Sequence, residues 1–164
     1  MKICCITGHR PQNFPFDYEN KESAQYKKYI ACMYEKVFAL ANEGYELFIS
    51  GMADGADTDF FDAVMAARTR LAPLGKKADF EAAFPYPNKK SEIFRKEYPG
   101  FALSVISDKY EKGCFQKRNR YMVDKSDLVL AFWSGKTSGG TWNTLKYARA
   151  SGKKTEYLCP ESDF

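Results

Sequence analysis

The chain has 164 residues, 45% of them apolar and 28% charged, with a formal net charge of +4; that is the size and balance of one soluble domain, and a second full domain is not expected. No apolar run approaches the roughly 20 residues that span a bilayer, and the opening Met1-Lys2-Ile3-Cys4-Cys5-Ile6-Thr7-Gly8 has neither the core nor the cleavage site of a secretory signal, so membrane insertion is excluded and a cytoplasmic location is expected. Five cysteines (Cys4, Cys5, Cys32, Cys114, Cys159) without a C-x-x-C pair read as buried thiols, and the single histidine, His9, excludes a multi-histidine metal centre.

Strand and helix signals alternate from the start. Ile3 to Thr7 is a short apolar run ended by Gly8, and Glu46 to Ser50 is another ended by Gly51, the lengths of buried parallel strands. Between them Ile30, Met33, Tyr34, Val37, Phe38 and Ala41 keep the three-and-four spacing of a helical stripe that Gly44 can terminate. A second helix carries Phe60, Phe61, Val64, Met65, Arg68 and Leu71 and stops near Pro73 and Gly75; Phe80 to Phe84 reads as a strand closed by Pro85 and Pro87. A short polar helix over 88–98, a strand over 101–106 and a helix over 114–125 follow. Asp127 to Trp133 is the clearest strand; Gly140 to Ser151 reads as a helix and Lys154 to Leu158 as a last strand. Strands separated by helices of this length pair in parallel with right-handed crossovers, which predicts an α/β, Rossmann-like, doubly wound, mostly parallel sheet with helices on both faces.

In such a sheet ligands bind beyond the carboxyl ends of the strands, so the residues after each strand are the candidate site. Gly8, His9 and Arg10 follow the first. Ser50, Gly51, Met52, Ala53, Gly55 and Asp57 follow the second; Gly139, Gly140, Thr141 and Asn143 follow the fifth, and Arg118 and Asn119 stand on the helix before it. Glycine lets an anion approach main-chain amides at the positive end of a helix, so both glycine segments read as phosphate cradles, or else as turns that folding alone requires. On the first reading a bulky residue at Gly55 abolishes binding and leaves the domain folded. Asp57 is a ligand contact or a helix cap. His9 and Arg10 are ligand contacts or turn residues, and Arg118 and Asn119 grip a phosphate or ribose or belong to a solvated helix face with Lys117, Arg120 and Lys125. Trp133, Trp142 and Tyr86 are either stacking platforms or core. Neither G-x-G-x-x-G nor G-x-x-x-x-G-K-[ST] is present. Charge is uneven: residues 1–82 hold 10 basic and 12 acidic side chains, residues 83–164 hold 15 and 9.

Taken in order, Thr7-Gly8-His9-Arg10-Pro11, Ser50-Gly51-Met52-Ala53-Asp54-Gly55-Ala56-Asp57, Arg118 to Asp124, Ser126-Asp127 and Gly139-Gly140-Thr141 resemble the SLOG superfamily, named for the Smf/DprA and LOG proteins, and within it the YpsA-like branch of small bacterial proteins. The resemblance implies a Rossmann-like domain, often a homo-oligomer, that binds a nucleotide or nucleotide-derived ligand such as ADP-ribose, NAD or a nucleoside phosphate, with no cofactor required. LOG proteins are phosphoribohydrolases with the signature P-G-G-x-G-T-x-x-E. Here Ser138-Gly139-Gly140-Thr141-Trp142-Asn143-Thr144 lacks the proline and the intervening glycine and places Thr144 where the glutamate would fall. Neither Asn143 nor Thr144 is an acid or base at neutral pH, so hydrolysis would need Asp54 or Asp57 instead. The DprA branch binds single-stranded DNA, and residues 109–125 hold six basic against two acidic side chains, with Tyr110, Phe115 and Tyr121 among them. Ligand binding or sensing is therefore the first expectation, nucleotide hydrolysis the second and single-stranded DNA the third.

Overall fold

Strand–helix alternation is realised in a computed structural model that describes residues 1–158; Cys159 lies outside the described residues. The strands are β1 (Lys2–Gly8), β2 (Tyr45–Ser50), β3 (Asp79–Phe84), β4 (Ala102–Val105), β5 (Leu128–Phe132) and β6 (Lys154–Tyr157), and the helices α1 (Ala24–Asn42), α2 (Ala56–Leu71), α3 (Lys89–Glu97), α4 (Cys114–Lys125) and α5 (Gly140–Ala150). All five ladders are parallel, in the order β4-β3-β2-β1-β5-β6. Among the described residues no helix is long and apolar enough to cross a membrane.

Right-handed crossovers explain the layers. The chain steps from β1 through β4 in one direction, then returns across the sheet to β5 on the other side of β1, so the helices after the reversal fall on the opposite face. Cys4, Ile6, Phe48, Phe80, Leu128 and Leu130 pack with α1, α2 and Phe94 of α3, whereas Cys5, Ile49 and Val129 pack with Met122 and Val123 of α4 and Ala148 of α5. Adjacent residues of one strand thus serve opposite layers, as the pleat requires. The central β5 is buried along its whole length, and the edge strands β4 and β6 are not.

In α1 the buried line is Tyr29, Met33, Val37, Leu40 and Ala41, while Tyr34 is exposed and Ile30 and Phe38 are half-buried. The helix is rolled from the expected stripe because Tyr29 fills the space between Phe14, Phe16 and Phe132, with ring centroids 5.1, 5.8 and 4.7 Å away. Its hydroxyl donates to Asp59 on α2 at 2.8 Å, which fixes the roll. The reversal of strand order lies between β1 and β5, and this is where a doubly wound sheet opens a crevice.

Candidate functional site

At the end of β1 the backbone presses directly on α2: a side chain at Gly8 would place its Cβ 2.4 Å from that of Ala56. The next residue, His9, is 8% exposed, and its Nε2 accepts the backbone N–H of Ser134 at 2.8 Å. The only histidine therefore ties the tip of β1 to the segment after β5. Burial, then the nearby Lys136, holds its pKa below the ordinary value, which keeps that nitrogen an acceptor. Arg10 is exposed, with its guanidinium 5.9 Å from the centre of the Phe115 ring.

The corner between β2 and α2 is filled by the protein itself. Arg118, 6% exposed, donates through Nη1 to the carbonyls of Gly51 at 2.8 Å and Ala83 at 3.2 Å, and through Nε to Asn119 Oδ1 at 2.8 Å. A Cβ at Gly51 would lie 2.2 Å from that Nη1, so the glycine admits the guanidinium. Asp57 Oδ2 accepts the Ala53 amide at 3.2 Å; burial raises its carboxyl pKa, against the pull of Arg118 and of that amide. Ser50 Oγ donates to the Asp57 carbonyl at 2.9 Å and accepts from the Met52 amide at 3.0 Å, which holds Met52 at a φ of 55°. Gly55 has a φ of +102°, and a Cβ there would meet the His9 carbonyl oxygen at 2.6 Å. A bulky residue at Gly55 therefore damages the fold before it touches a ligand, contrary to the expectation above.

The corner between β5 and α5 is the reverse. Gly139, at a φ of +89°, starts α5 with no side-chain cap, and a Cβ at Gly139 or Gly140 would meet nothing within 4 Å. Side chains there reach carbonyls and not the helix amides: that of Gly140 accepts from Thr144 Oγ1 at 2.8 Å and that of Lys136 from Trp133 Nε1 at 2.8 Å. The first-turn amides of a helix have no partner within the helix, so this terminus is an uncapped positive end.

Ten of the expected residues converge on one cavity of about 310 Å³: Gly8, His9, Arg10, Ala53, Asp57, Arg118, Asn119, Gly139, Gly140 and Thr141. Gly51 and Met52 line a neighbouring cavity of about 350 Å³, Asn143 lies in a groove of about 670 Å³ between α4 and α5, and Ser50 and Gly55 line none of the three. Sequence reasoning did not single out Lys136, Ser138 and Asn13, which share the 310 Å³ cavity; the first two belong to the segment between β5 and α5, and their charge and hydroxyl were the available signal. Trp133 and Trp142 stack on each other at 5.3 Å and 13°. Asp54 is exposed and paired with Lys90 at 2.8 Å, so Asp57 is the one carboxylate on the cavity wall among the described residues.

No protein-family model matches the chain. A UPF0398 protein of Bacillus pumilus (strain SAFR-032) is 26% identical over 156 residues, which cover 90% of this chain and 82% of the relative. Among solved structures, DNA processing protein A (DprA) from Streptococcus pneumoniae matches with a TM-score of 0.63 and 17% identity, over 95% of this chain and 50% of that one. The chain has the Rossmann-like fold of DprA. It spans about half the length of that protein. On this DprA-like sheet the cavity occupies the carboxyl edge at the reversal of strand order.

Proposed function

We propose that the chain binds a nucleotide or nucleotide-derived anion in the cavity between β1 and β5, with a phosphate at the amino terminus of α5. One observation carries this reading: the uncapped Gly139–Gly140 start of α5 opens onto the same cavity as the cations Arg10 and Lys136. A helix terminus contributes about 0.3–2 kcal/mol toward an anion and each charge-assisted hydrogen bond about 1.5–3 kcal/mol. Two such bonds and the terminus give about 3–8 kcal/mol, a dissociation constant between about 4 mM and 1 μM. The order of motifs, the UPF0398 relative and the DprA-like fold support a place in the SLOG superfamily, with the YpsA-like branch as its finer assignment.

Binding is favoured over hydrolysis because Thr144, which stands where the LOG glutamate would fall, is spent and its neighbour Asn143 is displaced. Thr144 donates its hydroxyl to the Gly140 carbonyl, and Asn143 sits outside the cavity. Nucleoside monophosphates and NAD, incubated with pure protein, separate the two: a rise in melting temperature without product is the expected result, release of free base or ribose phosphate establishes hydrolysis, and no shift with any of them overturns both.

A second reading, single-stranded nucleic acid, is favoured by the exposed Phe115 beside Arg10 and the exposed Tyr110 against Tyr86, and by the likeness to a DNA processing protein. Anisotropy with a fluorescent oligonucleotide tests it, since phosphate-driven binding weakens steeply as salt rises; absent or salt-independent binding removes it.

A further inference from the structure

The 350 Å³ cavity shares Arg10, Ala53, Phe115 and Arg118 with the cavity at α5, so the two form one cleft with two lobes. Their walls differ in chemistry. The second lobe is bounded by Phe84, Pro85 and Tyr86 at the end of β3. Tyr86 meets Tyr110 at 5.5 Å and 84°, and Phe115 at 6.2 Å and 87°. Tyr110 is 65% and Phe115 38% exposed, two of the seven large apolar side chains left at the surface among the described residues. Packing alone would bury such rings; here they gather at one mouth. The one cation this lobe adds, Lys90, is already paired with Asp54 at 2.8 Å, and its other polar side chains include the carboxamide of Gln12 and the NH2 group of Asn88, whose oxygen caps α3 by accepting from the Ser91 amide at 2.9 Å. A lobe of rings and amides, with its added charge neutralised, suits a flat, uncharged, hydrogen-bonding group and not a second phosphate.

Resting on the phosphate reading above, we infer that this second lobe seats the base: a nucleotide unit crosses the ridge made by Arg10 and Phe115, with its phosphate at α5 and its base against Tyr86. The ligand class is therefore a base-bearing nucleotide and not a sugar phosphate. A free mononucleotide and one unit of a single strand present this same chemistry.

Calorimetric titration of the full chain with AMP, ribose 5-phosphate and a 5′-phosphorylated hexathymidylate tests the inference. The wild type should prefer AMP or the oligonucleotide over ribose 5-phosphate by roughly five- to hundredfold, the range that one base stacked on an aromatic ring provides. Y86L should abolish that preference with ribose 5-phosphate affinity unchanged, and Y86F should restore it; the arm that loses affinity identifies the source as free nucleotide or strand. Equal wild-type affinity for all three overturns the base seat and leaves the phosphate reading standing, and this ratio needs no variant. Unchanged nucleotide affinity in a folded Y86L protein also overturns it, and no binding by any of the three overturns both readings.

Discussion

Two glycine-bearing corners flank the end of β1 at the carboxyl edge, and they are filled in opposite ways. After β2, Gly51 makes room for the guanidinium of Arg118 and Gly55 for the His9 carbonyl; the protein's own cation and the Asp57 carboxylate occupy the place a ligand would take. After β5, the space beyond Gly139 and Gly140 is open and the helix behind it is uncapped. A glycine at a strand-to-helix turn thus marks a close approach without saying whose atoms approach. The partner in space decides whether the corner is scaffold or site.

Truncating Arg118 should break the comparison hardest. Arg118→Met leaves the carbonyls of Gly51 and Ala83 without their side-chain donor and the buried Asp57 without the cation that acts on it most strongly, so urea denaturation should show a loss of about 3–5 kcal/mol. Arg118→Lys should restore little of it, because one ammonium cannot reproduce the planar fork. Wild-type stability in Arg118→Met would mean that the filled corner is not a structural element.

Gly55→Ala should cost about 3 kcal/mol or more, from a backbone held at positive φ together with a backbone oxygen inside contact distance. Its counterpart, Gly140→Ala, should change stability by less than about 0.5 kcal/mol and weaken phosphate binding by titration. A pair of variants with the reverse pattern would exchange the roles of the two corners.

The helix that delivers Arg118 is fastened at its other end by Glu81, 1% exposed, which accepts from Lys125 and Tyr121 at 2.5 Å and from Ser104 at 2.8 Å. Burial pushes the Glu81 pKa up, but those hydrogen bonds outweigh it and hold the carboxyl below its ordinary value. Its contribution is therefore complete above the unfolded carboxylate range near about pH 4 and is lost as pH falls through the folded value. Glu81→Gln should cost about 2 kcal/mol at neutral pH, and its stability should fall less on acidification than the wild type's.

His9 gives the smallest effect and the clearest sign. Its folded pKa is below the unfolded value of about 6.5, so the unfolded chain takes up the proton more readily, and its contribution is full above about pH 6.5 and declines as pH falls below it. Melting curves between about pH 7.5 and pH 5.5 should show the wild type losing more stability than His9→Asn. Parallel curves would show that the bond to Ser134 carries no pH-dependent stability.

Most of the architecture was legible because it rests on local patterns. Apolar runs of four to seven residues ended by glycine or proline became strands, and helical spacing became helices within a few residues of the expected ends. The roll of α1 was not legible: its apolar residues fit two adjacent stripes, and the choice fell to Tyr29 through its rings and Asp59. Arg118 was read as a ligand contact or part of a wet face, yet it lies four residues from both Cys114 and Met122, on the same buried stripe. That spacing was visible; what made a buried arginine acceptable was not, because its two backbone acceptors are Gly51, just after β2, and Ala83 of β3, 67 and 35 residues away.

By itself the sequence determined the parallel α/β class, the order of elements and the candidate turns at the carboxyl edge, because hydrophobic period and turn chemistry act over a few neighbouring residues. Only the tertiary structure decided which glycine corner is occupied, that His9 serves as an acceptor, and that Phe115 joins two lobes of one cleft. Those outcomes depend on atoms brought together from distant segments, and no local pattern carries that information.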